Sequence, residues 1–334
     1  MGSEMCIRDR YYMSYVVYSH RYNIGFYGLE RLHPFDSRKY GRAWRALKSH
    51  FGADLKLFHI RLDRSANEDE LLLVHTADYL RQLRNSRFVA EILELPQVGL
   101  LPYWLIDSHV LDPMRWATRG TIVAAESALK NGFAINLSGG YHHAKPDCGE
   151  GFSVYADAAI AVSSLRDNRL LNEKDRVVFI DTDAHQGNGN CHSFMTDDRI
   201  FIFDIFNSRI YPFHDKESRG RIDCEIALTQ LNTGTDYNSK LKKQLPKFLD
   251  SVCDSNVGLA IYNAGTDVFS GDPLGGLDVS QEAILERDLF VAAELRKRKI
   301  PFIMLPSGRY TKQSYQLLAN SVIKIIESRD TNDG

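Results

Sequence analysis

The sequence predicts a single α/β domain, a parallel sheet with helices on both faces. Three observations predict it. Apolar runs rich in Val, Ile and Phe recur without polar alternation, as at 177–180 (V-V-F-I) and 302–305 (F-I-M-L), the pattern of strands covered on both sides. Segments with apolar residues at i, i+3 and i+4 alternate with those runs; Tyr155, Ala158, Ala159, Val162 and Leu165 form one such face. No repeat, low-complexity tract or Pro/Gly/Ser linker divides the chain, so the alternation closes into one sheet with right-handed crossovers. A chain of 334 residues, 44% of them hydrophobic, is long enough to bury a sizeable core.

In chain order, strands are expected at 14–18, 133–137, 176–181, 200–205, 257–262 and 301–305. Helices are expected at 38–51, 67–85, 113–131, 154–168, 239–254, 281–298 and 313–328. Residues 1–12 are polar and patternless and are expected to stand outside the fold as a disordered or extraneous segment, with one domain over 13–330. The basic run Arg296-Lys297-Arg298-Lys299 reads as the solvated end of a helix.

Composition excludes several classes. Net charge is −2, from 41 basic and 43 acidic residues, which gives no reason to expect nucleic acid or an anionic membrane as partner. Five cysteines, odd in number and without a C-x-x-C, argue against a disulfide framework or a cysteine zinc site and fit a reducing compartment, the cytoplasm or, in a eukaryote, also the nucleus. No apolar run approaches the ~18 residues of a membrane span. The N-terminus lacks the apolar core of a signal peptide.

Four apolar strands each run directly into a polar cluster: I-N-L into S-G-G-Y-H-H, V-V-F-I into D-T-D-A-H, L-A-I-Y into N-A-G-T-D, and F-I-M-L into P-S-G-R-Y. Ligands of open parallel sheets bind outside the carboxyl ends of the strands, so the four clusters converge on one edge. The stretch D-T-D-A-H-Q-G-N-G at 181–189 has three readings: a metal site, a calcium loop, or a polar turn after a strand. The calcium loop fails, because the positions that need an oxygen ligand, a glycine and a glutamate hold His185, Gln186 and His192. Asp183 and His185, at i and i+2, lie on one side of an extended backbone and supply two metal ligands. An open catalytic site needs about three, and Asp267 at the end of a later strand is the best third. Such a set suits Zn²⁺, or Fe²⁺ as a substitute.

His142 and His143 follow the Gly139-Gly140 turn, where one imidazole would be placed to move a proton to and from a metal-activated water. Asp181 and Asn188 flank the ligands as partners for the pair. An Asp partner favours imidazolium and an Asn partner does not, which would give the two rings different jobs. Tyr310 at another strand end would donate to a forming oxyanion. Gly151 and Phe152 of G-E-G-F, with Tyr211 and Leu274 from other loops, would form a narrow apolar tube suited to an acyl-lysine.

Together, G-G-Y-H-H-A, C-G-E-G-F, D-T-D-A-H-Q-G-N-G, Y-N-A-G-T-D-V-F-S-G-D-P-L-G-G-L and S-G-R-Y resemble the zinc-dependent histone deacetylase superfamily over about 14–328. The early H-P-F-D-S-R-K-Y and the late S-G-R-Y-T-K-Q-S resemble its class IV branch. The resemblance implies the arginase/deacetylase fold with a parallel sheet of about eight strands. It implies Asp183, His185 and Asp267 as metal ligands and His143 as general base and then acid. It implies His142 paired with Asp181, Asn188 behind His143, Tyr310 on the scissile carbonyl, and Gly151, Phe152, Tyr211 and Leu274 at the substrate. It further implies structural K⁺ at Asp181 and Asp204, and a mouth loop carrying His33 and Asp36. Ser153 and Arg309 depart from the pattern and leave the preferred acyl group open.

The expected activity is metal-dependent hydrolysis of an acyl-lysine amide on a protein or peptide. The alternatives are deacetylation of a small molecule such as an acetylpolyamine, and a silent acyl-lysine-binding protein. An arginase-like two-metal hydrolase would need a carboxylate where Gly187 stands.

Overall fold

Among the described residues, eight short strands line up in parallel, and the central ones are apolar on both faces. The computed structural model describes residues 15–25, 38–172, 174–229, 233–253, 256–308 and 310–330. The strands are β1 Val16–Val17, β2 His59–Ile60, β3 Phe133–Asn136, β4 Arg176–Asp181, β5 Ile200–Asn207, β6 Cys224–Leu228, β7 Val257–Asn263 and β8 Phe302–Leu305. They form one sheet in the order β2-β1-β3-β8-β7-β4-β5-β6, and every pairing is parallel. Successive residues of β3, β4, β7 and β8 are nearly all buried, so both faces of the sheet are covered. Helices Asp112–Asn131 and Asp157–Asp167 pack on each other; Lys39–Phe51, Ser314–Asp330, Gln281–Lys297 and Gly234–Val252 pack in succession.

The chain leaves β3, passes β8 and β7, and enters the sheet again at β4. The four strands that end in polar clusters, β3, β8, β7 and β4, are therefore the four central neighbours. Register then aligns the ends: Asp181 of β4 is level with Asn263 of β7 and Asp204 of β5, and Asn263 is level with Leu305 of β8.

Two strands and several helix boundaries differ from expectation. β2 is two residues long, and β6 alternates exposed and buried residues as an edge strand open to water does, so neither carries the doubly covered pattern. The helix expected over 67–85 is broken into Glu68–Leu72 and Ala77–Gln82. Asn67 caps the first through a reciprocal pair with Glu70, and Thr76 caps a fresh start by accepting from the Tyr79 amide. Gly234–Val252 begins five residues before its expected start at 239. The basic run does close a helix, with Arg298 paired to Asp250 and Glu294. The expectations for residues 1–12 and for His33, Asp36 and Arg309 fall outside the described residues.

Candidate active site

The Gly139-Gly140 turn sets the position of the histidine pair. Both glycines have positive φ, +86° and +79°, which side chains rarely allow. Asp157, wholly buried at the start of its helix, accepts from the amides of Gly140 (2.9 Å) and Tyr141 (2.8 Å) and from the Thr121 hydroxyl (2.6 Å). The turn is thus held from behind, and His142 and His143 project from it as neighbours with ring centres 4.1 Å apart.

Asp183, His185 and Asp267 meet as expected from their strand ends. Their potential ligand atoms lie within 4.8 Å of one another, and all three residues are buried. His185 Nδ1 lies 2.8 Å from Asp267 Oδ2 and 3.2 Å from Asp183 Oδ1. The far oxygens are also held: Gly308 N–H donates to Asp183 Oδ2 (2.7 Å) and Ala184 N–H to Asp267 Oδ1 (2.9 Å). Gly308 must be glycine, because a β-carbon there would run into both carboxylates. Burial disfavours a charged His185, but the two carboxylates outweigh it and raise the imidazole to about 10. Of the two acids, Asp267 is pushed up to about 7 by burial and by the Asp183 charge, while Asp183 is held low, against its own burial, by His142 and His185. Two carboxylates and an imidazole gathered within 4.8 Å are a donor set that fits a metal ion.

The two histidines have opposite environments. His142 Nδ1 is 2.9 Å from Asp181 Oδ2. Burial would lower its pKa, yet Asp181 and Asp183 carry it up to about 9, which favours the imidazolium form. His143 Nδ1 is 2.8 Å from Asn188 Oδ1. Burial, and then the charges of His142 and His185, push His143 well below the usual range, so it stays neutral. The tautomer of His143 follows from Asn188. The Asn188 amide nitrogen donates to Glu150 (2.5 Å) and Asp215 (3.1 Å), which commits its oxygen to accept from His143 Nδ1–H. Nε2 of His143 is left as the basic atom.

Around these groups, Tyr310 has its ring centre 6.1 Å from His185 and 5.9 Å from Phe152. Burial and the nearby acids Asp267, Asp183 and Asp272 keep its phenol protonated. Tyr211 stands edge-on to His143 at 5.0 Å, beside Gly151. Leu274 lies in the loop that carries Asp272. It is half-buried, and its relation to the site runs through Asp272, which accepts from the amides of both Leu274 (3.0 Å) and Tyr310 (3.0 Å). A cavity of about 30 Å³ lies between His142, His143, Phe152, Gly308 and Tyr310.

Asn263, Asp157, Glu150 and Asp215 are site residues that sequence reasoning missed. Asn263 Nδ2 lies 3.0 and 3.1 Å from the two oxygens of Asp181 and 2.9 Å from Ser307 Oγ, which itself donates to the Gly140 carbonyl. The cluster N-A-G-T-D after β7 was the signal for Asn263, at the same strand end as Asp267. Asp204 accepts from Gly187 N–H through one oxygen, and its other oxygen is buried without a partner among the described residues. That orphaned oxygen beside Asp181 fits a monovalent cation.

Residues 33–326 match the histone deacetylase domain family. The chain is 40% identical to histone deacetylase 2 of Arabidopsis thaliana over 309 residues, covering 92% of this chain and 77% of that protein. Two solved structures share the fold. One is the crystal structure of the HDA15 HD domain, with a TM-score of 0.73, 17% identity and coverage of 95% of this chain and 88% of that one. The other is the acetylpolyamine aminohydrolase of Burkholderia pseudomallei, with a TM-score of 0.69, 19% identity and coverage of 93% and 98%.

Proposed function

The chain belongs to the histone deacetylase family, and on that premise we propose that it hydrolyses the amide of an acylated lysine side chain, as a class IV-like deacylase that uses zinc. The observation that carries the reading is a buried Asp-His-Asp set beside two adjacent histidines, one paired with Asp181 and one with Asn188. A divalent ion held by Asp183, His185 and Asp267 would supply a Lewis acid that polarises the amide carbonyl and brings the pKa of water from 15.7 toward ~7. K⁺ is assigned to the Asp181–Asp204 region on the orphaned Asp204 oxygen.

Residues of the chain then divide the work. His143 Nε2 takes the proton of the attacking water as the C–O bond forms, and Asn188 keeps that nitrogen free by accepting from Nδ1. The imidazolium of His142, anchored on Asp181, adds positive charge beside the carbonyl as it becomes an oxyanion. Tyr310 donates its phenolic hydrogen to the same oxygen. His143 returns its proton to the lysine nitrogen as the C–N bond breaks, giving a free amine and a carboxylic acid. Phe152 and Tyr211 line the approach with aromatic surface that suits the aliphatic stem of the lysine.

The test combines metal analysis of the purified protein with turnover of a fluorogenic acyl-lysine series from acetyl to myristoyl, run beside acetylpolyamines. The expected result is about one equivalent of transition metal per chain and hydrolysis of at least one acyl-lysine faster than of any polyamine. Polyamine turnover alone would move the substrate to small amines. Absence of both metal and turnover would leave a binding protein.

A further inference from the structure

A groove at the far end of the same sheet edge shares no lining residue with the catalytic cavity among the described residues. It encloses about 670 Å³. Its walls come from the segment that leaves β1 (Tyr18, Arg21), from β2 and the segment that leaves it (His59, Arg61), from the helix Lys39–Phe51 (Trp44, Lys48) and from Lys56 and Trp116. It therefore sits outside the carboxyl ends of two parallel strands, the usual place for a ligand in such a sheet.

Four cationic residues line it: Arg21, Lys48, Lys56 and Arg61. All four are exposed, and none forms an ion pair among the described residues. Among the described residues Asp63 is the one carboxylate in the lining, so the described lining carries an excess of three positive charges in a chain whose net charge is −2. Composition does not account for that concentration. Like charges brought together without counter-charges repel, and a bound polyanion removes the cost. The floor is aromatic and fixed. The Trp44 ring stacks on Tyr18 at 4.7 Å and meets His59 at 4.4 Å, the His59 ring is bonded to the Tyr18 carbonyl at 3.0 Å, and the Arg21 guanidinium lies 6.0 Å over Trp116.

We propose that this groove binds a small molecule carrying several adjacent phosphate groups. Two guanidinium forks and two ammonium groups match clustered phosphate oxygens, bidentate from Arg and as point charges from Lys. The volume is that of a small-ligand pocket, and cations gathered around one open groove of that size suit charge packed on one small molecule better than carboxylates strung along a peptide. The phosphates could belong to free polyphosphate or to a nucleotide whose ring lies on the tryptophan walls. This inference stands apart from the catalytic reading, since no residue of the active site takes part.

Calorimetric titration of the full chain at ~0.15 M salt, with tripolyphosphate, ATP and hexaglutamate, tests it. Tripolyphosphate and ATP are expected to bind with a Kd of ~1–100 µM, and the pair Lys48→Glu with Arg61→Glu to weaken both at least ~10-fold while acyl-lysine hydrolysis is unchanged. The milder pair Lys48→Gln with Arg61→Gln carries the same test if charge reversal disturbs folding. Tighter binding of ATP than of tripolyphosphate identifies a nucleotide, and equal binding identifies the phosphate chain alone; both sustain the site. The proposal is overturned by no binding of either anion up to ~1 mM, by binding that ignores the substitutions, or by hexaglutamate binding as tightly.

Discussion

At the scale of single residues, Tyr310 makes the sharpest claim. Its phenol is kept protonated by burial and by three nearby carboxylates, and its amide is tied to Asp272, so it is a hydrogen-bond donor held at the site. Tyr310→Phe removes the donor and keeps the ring that packs near Phe152. Loss of one oxyanion donor lowers kcat by about 10²–10³, with KM and metal content nearly unchanged. Steady-state kinetics with metal analysis of the same preparation checks this, and wild-type kcat in the variant would remove Tyr310 from the oxyanion role. The reacting groups were legible because each is a chemically loaded residue at a strand end: Asp183 and His185 two apart, the histidines after two glycines, Tyr310 after a third strand. Asn263 was not legible in the same way. An asparagine has no reactive chemistry of its own, and its importance lies in contacts with Asp181 and Ser307, which come from two other strands.

At the scale of elements, the ligand-bearing loops are held together by a helix that contributes nothing to the reaction. Arg287, in the middle of Gln281–Lys297, is wholly buried. Its Nη1 donates to the carbonyls of Thr182 (3.0 Å) and Gly265 (2.7 Å), and its Nε to Asp288 (2.8 Å). One guanidinium thus links the residue before Asp183 to the segment that leads into Asp267. Arg287→Leu would leave a buried carboxylate and two carbonyls short of a donor. The expected cost is ~3–5 kcal/mol of stability, read as a lower urea midpoint with an unchanged m-value. A midpoint within error of wild type would show that the surrounding groups find other partners. Nothing in the sequence marked this arginine, because it sits among ordinary helix residues and two of its partners are backbone carbonyls more than 20 residues away. The same limit explains β2 and β6: edge strands lack the doubly covered apolar run that made the central strands easy to read.

At the scale of the whole molecule, the class of fold followed from alternation of apolar strands and helical faces, but the strand order did not. That order depends on which crossovers pass over which strands, and here the jump from β3 past β8 and β7 to β4 brings the four polar clusters side by side. One consequence is that the metal-type site is assembled only in the folded chain, since Asp183 and Asp267 are 84 residues apart in sequence. A ligand that binds only the folded state stabilises it, by ~2.7 kcal/mol at a free concentration one hundred times its Kd. With an unfolding entropy of ~2.1 cal/mol/K per residue, the 334-residue chain converts this into a rise in Tm of about 4 °C. Chelation should therefore lower Tm by about that amount, and readdition of zinc should restore it. Asp183→Asn, which weakens the donor set, should melt at the same temperature with and without zinc. A zinc-dependent shift that survives in Asp183→Asn would place the stabilising metal elsewhere in the molecule.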